Sequence, residues 1–180
     1  MTILFSGRKN IVVLGAGFAG ITAILRLYKL LRRRGLLGRY NLILVNKSAH
    51  HLYTPALYEI AAIPKGEAET ICLKSAHCIP IEDIIKPFPE IRFIGEEIEK
   101  LDPLTHIMRF RSGNRLSFEY AVVALGSETN FFNIPGLQEN SYPLKTFQDA
   151  VRLRDKAEEM AATNSGSVKI VIGGGGATGV

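Results

Sequence analysis

The feature that most constrains this sequence is a short apolar run that breaks at a glycine and recurs 159 residues later. Asn10-Ile11-Val12-Val13-Leu14 carries no charge and runs directly into Gly15-Ala16-Gly17-Phe18-Ala19-Gly20. A run of this kind, bounded by turn formers, reads as a strand of a parallel sheet covered on both faces. Beyond it, Ile21, Ile24, Leu25, Tyr28 and Leu31 recur at helical spacing until the Gly35 and Gly38 region. The pattern predicts a helix from Phe18 to about Arg33. Tyr40 to Val45 follows as a second strand, and such a strand, helix, strand unit should be right-handed. The ten residues from Ile11 resemble Ile170-Val171-Ile172-Gly173-Gly174-Gly175-Gly176-Ala177-Thr178-Gly179. Two strand-to-glycine turns imply two nucleotide-binding units.

The glycine spacing has a physical reading. In GAGFAG, Gly15 allows the tight turn, Gly17 lets main chain approach a pyrophosphate, and Gly20 lets the helix lie close to its strand. The helix N-terminus then offers N–H groups and a partial positive charge to the phosphates. A lone GxGxxG is weak evidence, but this one follows a strand, opens a helix and is echoed by Gly174, Gly176 and Gly179. Neither copy has the Lys-Ser/Thr ending of a triphosphate-binding loop, which argues against an ATPase. After the second strand an acid normally accepts hydrogen bonds from ribose hydroxyls; here Asn46 stands there, followed by Lys47. An amide can bond a hydroxyl without charge, so the contact is weaker and a 2′-phosphate is better tolerated. The plainer account of both residues is a solvated loop.

The middle of the chain is less legible. Helical stretches are expected around Thr54-Pro55 and over Ile81 to Lys86. Strands are expected at Ile91 to Ile94, Glu97 to Leu101, Ile107 to Arg111 and Leu116 to Phe118, with Ser112-Gly113-Asn114 as a hairpin turn. Tyr120 to Leu125 reads as another doubly buried strand. Thr146, Gln148 and Asp149 open a helix to about Ala162, and Val168 to Ile172 reads as a final strand. The expected fold is α/β, a Rossmann-like three-layer arrangement of parallel sheet, helices and small antiparallel ribbon, cut off at the start of a second Rossmann unit. Residues 1–145 would be the front of one domain and residues 146–180 a linker helix with the start of the next. The chain is thus expected to be the front part of a longer protein.

Composition narrows the function classes. With 47% apolar and 22% charged residues a core can form. Two cysteines cannot build a disulfide framework, so a reducing cytoplasm is the default. The uncharged stretch from Ile11 to Leu25 is too short and too glycine-broken to span a bilayer. Residues 1–58 hold nine Lys or Arg and no acid, and Arg26, Lys29, Arg32, Arg33, Arg34 and Arg39 supply most of them. They fit the wet face and late turns of a helix, or contact with an anionic membrane surface; no basic motif with interleaved aromatics suggests nucleic acid. Cys72, His77 and Cys78 are too irregularly spaced to read as a metal site and fit ordinary packing better. His50 and His51 could meet a cofactor or cap a turn, and Tyr53 and Tyr58 read as core. No GxSxG elbow or HExxH zinc helix occurs.

Three runs, LVNKSAHHLYTPALYEIAA, YAVVALGSETNFFNIPGL and KIVIGGGGATGV, together resemble the type II NADH dehydrogenases, non-pumping NADH:quinone oxidoreductases of the two-dinucleotide flavoprotein superfamily. The resemblance implies a discontinuous FAD-binding domain followed by an NADH-binding domain. It implies that Gly15, Ala16, Gly17, Phe18, Ala19 and Gly20 bind FAD, with Asn46 and Lys47 flanking its adenosine. Thr54 would lie on the segment approaching the flavin, Ile98 would offer its backbone to adenine, and Gly126 and Ser127 would close over FAD. Gly174, Gly176 and Gly179 would bind NADH. No catalytic side chain and no metal are implied within these residues, because the flavin carries the chemistry. The implied partners are a quinone acceptor and the inner face of the cytoplasmic membrane, approached peripherally and mainly through later parts of the protein; a homodimer is compatible. The other readings are a sulfide:quinone or ferredoxin-type reductase of the same superfamily, or a non-catalytic nucleotide-binding module. Disulfide reductases of that superfamily place two cysteines just after the second strand, where this chain has Ser48 to His51.

Overall fold

The computed structural model describes residues 3, 7–68, 77–163, 166 and 169–173. In chain order the elements are β1 (Lys9–Leu14), α1 (Phe18–Arg33), a 3-10 turn (Leu37–Arg39), β2 (Tyr40–Val45), β3 (His50–Leu52), a 3-10 turn (Thr54–Ala56), α2 (Leu57–Ala62) and α3 (Lys65–Ala68). They continue as β4 (Cys78–Pro80), α4 (Ile81–Ile85), β5 (Ile91–Ile94), β6 (Ile98–Asp102), β7 (Ile107–Phe110), β8 (Arg115–Ser117), β9 (Tyr120–Val123) and α5 (Phe147–Thr163). They fall into two compact units, Met1–His51 with Ile79–Gly126, and Leu52–Cys78 with Ser127–Val180.

The first unit is built on a four-stranded parallel sheet in the order β5-β2-β1-β9. Alternation along its two central strands sorts the side chains. Ile11, Val13, Leu42 and Leu44 meet Ile24 and Tyr28 of α1 and Ile81 and Ile85 of α4 on one face. Val12, Leu14, Ile43 and Val45 meet Met108, Phe110, Leu116 and Phe118 on the other. That second face is covered by the antiparallel ribbon β6-β7-β8. Helices, parallel sheet and ribbon therefore make the three expected layers. Complete burial of a Val, Leu or Ile contributes about 1.5–3 kcal/mol, and the last four residues of β1 and of β2 all bury such a side chain, which is why these runs have no polar alternation.

Polar groups inside this layer are paired. Asn41 Nδ2 donates to Asn10 Oδ1 at 2.8 Å, and Asn10 Nδ2 donates to the Ser117 carbonyl at 2.8 Å. The two buried amides tie β1 to β2 and to the ribbon. The hairpin between β7 and β8 turns at Gly113, whose φ is +85° and whose N–H donates to the Phe110 carbonyl.

In the second unit, Pro55 sits in the first positions of its 3-10 turn, where no N–H is needed. Leu57 and Ile60 of α2 pack with Phe147, Ala150 and Val151 of α5. A capping box opens α5: Thr146 Oγ1 accepts from the Asp149 N–H at 3.1 Å, and the Asp149 carboxylate accepts from the Thr146 N–H at 2.8 Å.

Several expectations are corrected. Tyr120 to Leu125 is not doubly buried: Tyr120, Val123 and Leu125 are exposed, because β9 ends the sheet order with β1 as its sole strand neighbour among the described residues. Residues 169–172 form no strand, and Ile170, Val171 and Ile172 are exposed; no strand among the described residues pairs with their backbone, and an unpaired segment has nothing to hold it extended. Val168 lies outside the described residues. Tyr53 and Tyr58 are surface rather than core residues, and the Tyr58 hydroxyl donates to Glu59. The three-residue strand β3 was not expected. His77 and Cys78 are buried, as packing residues should be, while Cys72 lies outside the described residues. Among the described residues no helix is long and apolar enough to cross a membrane, and no group of three or more His, Cys, Asp or Glu is arranged to hold a metal ion.

Candidate functional site

The site grows from the way β1 ends. The Gly15 N–H donates to the Val45 carbonyl at 2.8 Å, and the Ala124 N–H donates to the Leu14 carbonyl at 2.8 Å, so the chain leaves the sheet between the C-terminal ends of β2 and β9. Gly15 turns there at φ +96°, where a Cβ would run into the Ala124 carbonyl. Gly20, in the first turn of α1, is buried so closely beneath this bend that a Cβ would be driven into the Gly15 carbonyl oxygen. Two missing side chains thus bring the start of α1 against the end of β1.

Gly17 differs from both. It is the N-cap of α1, with φ −74° and ψ −174°, it provides no side-chain cap, and the space around its missing Cβ is open. Gly17, Phe18 and Ala19 are exposed while Ala16 and Gly20 are buried. The first turn of α1 holds no acidic residue. An uncapped helix start carries roughly half an elementary charge of positive character, and here it opens to solvent over main chain with no side chain at Gly17 in the way. Such a cradle suits the diphosphate of a dinucleotide.

Asn46 and His51 stand beneath the bend. Asn46 Oδ1 accepts from the Ala16 N–H at 3.1 Å, and Asn46 Nδ2 donates to the Ser48 carbonyl at 2.8 Å. His51 is buried with Nδ1 2.8 Å from the Ala16 carbonyl oxygen; a carbonyl only accepts, so Nδ1 carries the hydrogen. The His51 ring also meets Phe18 edge to face, centroids 4.8 Å apart. Lys47 is exposed beside this pair. On the far side Gly126 follows β9 with φ +80°. Ile98 begins β6 and packs into the core beneath the ribbon. In the second unit Thr54 is exposed at the start of its 3-10 turn, and Ser127 Oγ accepts from Lys145 Nζ at 2.9 Å. Gly174, Gly176 and Gly179 lie outside the described residues. The structure therefore brings the residues of the first glycine turn together with Asn46 in one place. It adds His51, for which the sequence offered a cofactor contact or a turn cap but no partner within the chain. That partner lies 35 residues away, a separation no local pattern signals.

A parallel sheet whose first strand breaks at an uncapped, glycine-lined helix start defines the dinucleotide-binding α/β proteins. Residues 9–180 match the pyridine nucleotide-disulphide oxidoreductases, and the chain belongs to that family. It is 28% identical, over 96% of its length, to a type II NADH:quinone oxidoreductase of Staphylococcus haemolyticus, covering 42% of that protein. Among solved structures it is similar to the sulfide:quinone oxidoreductase of Aquifex aeolicus, with a TM-score of 0.65 and 27% identity over 86% of this chain and 33% of that one. It also shares its fold with NDH2 of Plasmodium falciparum, solved in complex with NADH, with a TM-score of 0.67 and 20% identity over 86% of this chain and 30% of that one. The chain thus spans less than half the length of these relatives.

Proposed function

We propose that this chain forms the FAD-holding front of an NADH:quinone oxidoreductase. The observation that carries the reading is the uncapped start of α1, with Gly15 and Gly20 in conformations and contacts that admit no side chain. The exposed main chain of residues 17–19 would receive the FAD diphosphate, and Gly126 and Ser127 would approach the cofactor from the following segment. Ile98 would meet adenine through its backbone, Thr54 would lie toward the flavin, and Lys47 would flank the adenosine. Residues 1–145 would belong to a discontinuous FAD domain, with residues 146–180 leading into an NADH domain through Gly174, Gly176 and Gly179. Bound FAD would supply the two-electron chemistry, receiving a hydride from NADH and passing two electrons to a quinone. The protein's part is then position and electrostatics, which agrees with a site made of main chain rather than of acids, bases or nucleophiles. A quinone acceptor would bring the protein to a membrane surface; in this reading it would sit there peripherally, on the cytoplasmic inner face, and a homodimer is compatible with that arrangement.

The full-length protein should purify yellow and oxidise NADH when a soluble quinone is supplied. A colourless full-length product, or one active only with a dithiol, would reject the reading. The likeness to a sulfide:quinone oxidoreductase favours one second reading, oxidation of sulfide instead of NADH. Sulfide-dependent quinone reduction without NADH oxidation would select it.

A further inference from the structure

Ala16, the residue between the first two glycines, has both of its backbone polar groups held by side chains from beyond β2. Its N–H is taken by Asn46, 30 residues away, and its carbonyl by His51, 35 residues away. Ala16 and His51 are buried, so water competes little for the carbonyl contact. The peptide joining Ala16 to Gly17 is trans, since the described chain has no cis peptide bond. In a trans peptide the carbonyl and the following N–H point in opposite directions. A carbonyl drawn inward by His51 therefore turns the Gly17 N–H outward, onto the exposed start of α1.

We propose that Asn46 and His51 are positioning residues, a clamp that fixes the two peptides flanking Ala16 and aims the Gly17 N–H at the diphosphate. The proposal rests on the reading of this turn as a dinucleotide site. The clamp answers a specific weakness. Glycine admits many backbone conformations, so the peptide before Gly17 can rotate unless its carbonyl is tied. It also gives Asn46 a further task. Its amide makes one bond at each end, to the Ala16 N–H and to the Ser48 carbonyl, and so braces the turn while keeping a second acceptor site and a second donor for a ribose hydroxyl. A carboxylate at this position could accept from Ala16 but could not donate to Ser48.

The test uses the full-length protein with His51→Leu, His51→Asn and Asn46→Asp. Asparagine carries Nδ2 where histidine carries Nδ1, so His51→Asn can restore the donor. After flavin removal, FAD affinity should fall about five- to tenfold in His51→Leu, the equivalent of one lost hydrogen bond, and should return to within about twofold of wild type in His51→Asn. Asn46→Asp keeps the acceptor for Ala16 but loses the donor to Ser48, so it should quicken amide exchange over residues 14–20 of the flavin-free protein, and unchanged exchange would remove Asn46 from the clamp. In the flavin-free protein, amide hydrogen exchange over residues 14–20 should quicken in His51→Leu and not in His51→Asn. Nitrogen NMR of the wild-type ring should show hydrogen on His51 Nδ1. Unchanged affinity in His51→Leu, an equal loss in His51→Asn, or a bare Nδ1 would overturn the clamp while leaving the dinucleotide site standing. If His51→Leu does not fold, the His51→Asn affinity and the wild-type ring spectrum decide. Failure of the wild-type protein itself to take up FAD, NADH or ADP would overturn the reading of the site and the clamp with it.

Discussion

Three glycines in one hexapeptide perform different tasks, and substitution separates them. A methyl at Gly20 has nowhere to go, because the Gly15 carbonyl occupies its place. Gly20→Ala should therefore cost about 3 kcal/mol of stability, at the upper end of overpacking penalties, and remove flavin binding as well. Gly17→Ala meets open space at an ordinary φ. It should leave the denaturation midpoint of the flavin-free protein within about 0.5 kcal/mol of wild type while weakening flavin uptake at least tenfold, because the new methyl stands where the diphosphate approaches. Equilibrium denaturation and a flavin-quenching titration on both variants check the pair; a Gly17→Ala protein that binds like wild type would remove the phosphate from this position. The spacing of these glycines was readable from the sequence because each role is local. The partners of Ala16 were not, since Asn46 and His51 reach it only after β2 has been laid beside β1.

Elements were legible in proportion to how far their own residues determine them. The helical period from Ile21 to Leu31 and the apolar run from Tyr40 to Val45 located α1 and β2 at their observed bounds. β3 is three residues long and is paired with β4, which begins 26 positions after β3 ends, so its own sequence offers little. The apolar runs at Tyr120 and Ile170 look alike on paper, and what separates them is whether a neighbouring strand is present among the described residues. Between β1 and β2 the buried Asn10 and Asn41 amides face each other in register and are hydrogen-bonded. Asn41→Leu strands the Asn10 oxygen and should cost about 2 kcal/mol in urea unfolding, in the range for an orphaned buried acceptor. Leucine at both positions should cost less than the two single changes added together. In the turn after β6, the Asp102 carboxylate accepts from the Thr105 and Leu104 N–H groups at 3.1 and 3.0 Å, and these bonds hold its pKa below the usual carboxylate range. A lowered folded-state value means the turn's support is complete above the ordinary carboxylate pKa and is lost as pH falls through the lower value. Carbon NMR of the Asp102 carboxyl should show a midpoint below that of an unstructured peptide, and an ordinary midpoint would refute the linkage.

At the scale of the whole molecule, the relatives this chain matches are more than twice as long as its 180 residues, so the function proposed draws on more polypeptide than it contains. Residues 1–180 produced by themselves should hold FAD more weakly than micromolar by equilibrium dialysis, against firm retention by the full-length protein; micromolar or tighter binding would show that the first glycine turn suffices. The basic residues of α1 and the turn after it, Arg26, Lys29, Arg32, Arg33, Arg34 and Arg39, are all exposed, and none forms an ion pair within 4 Å among the described residues. β9 brings a different hazard. Its outer flank leaves amide and carbonyl groups unclaimed among the described residues, with Val123 turned to water, and strands in that condition act as templates for strangers. Samples of residues 1–180 should accordingly grow in hydrodynamic radius on concentration, and lysine in place of Val123 should keep the particles small.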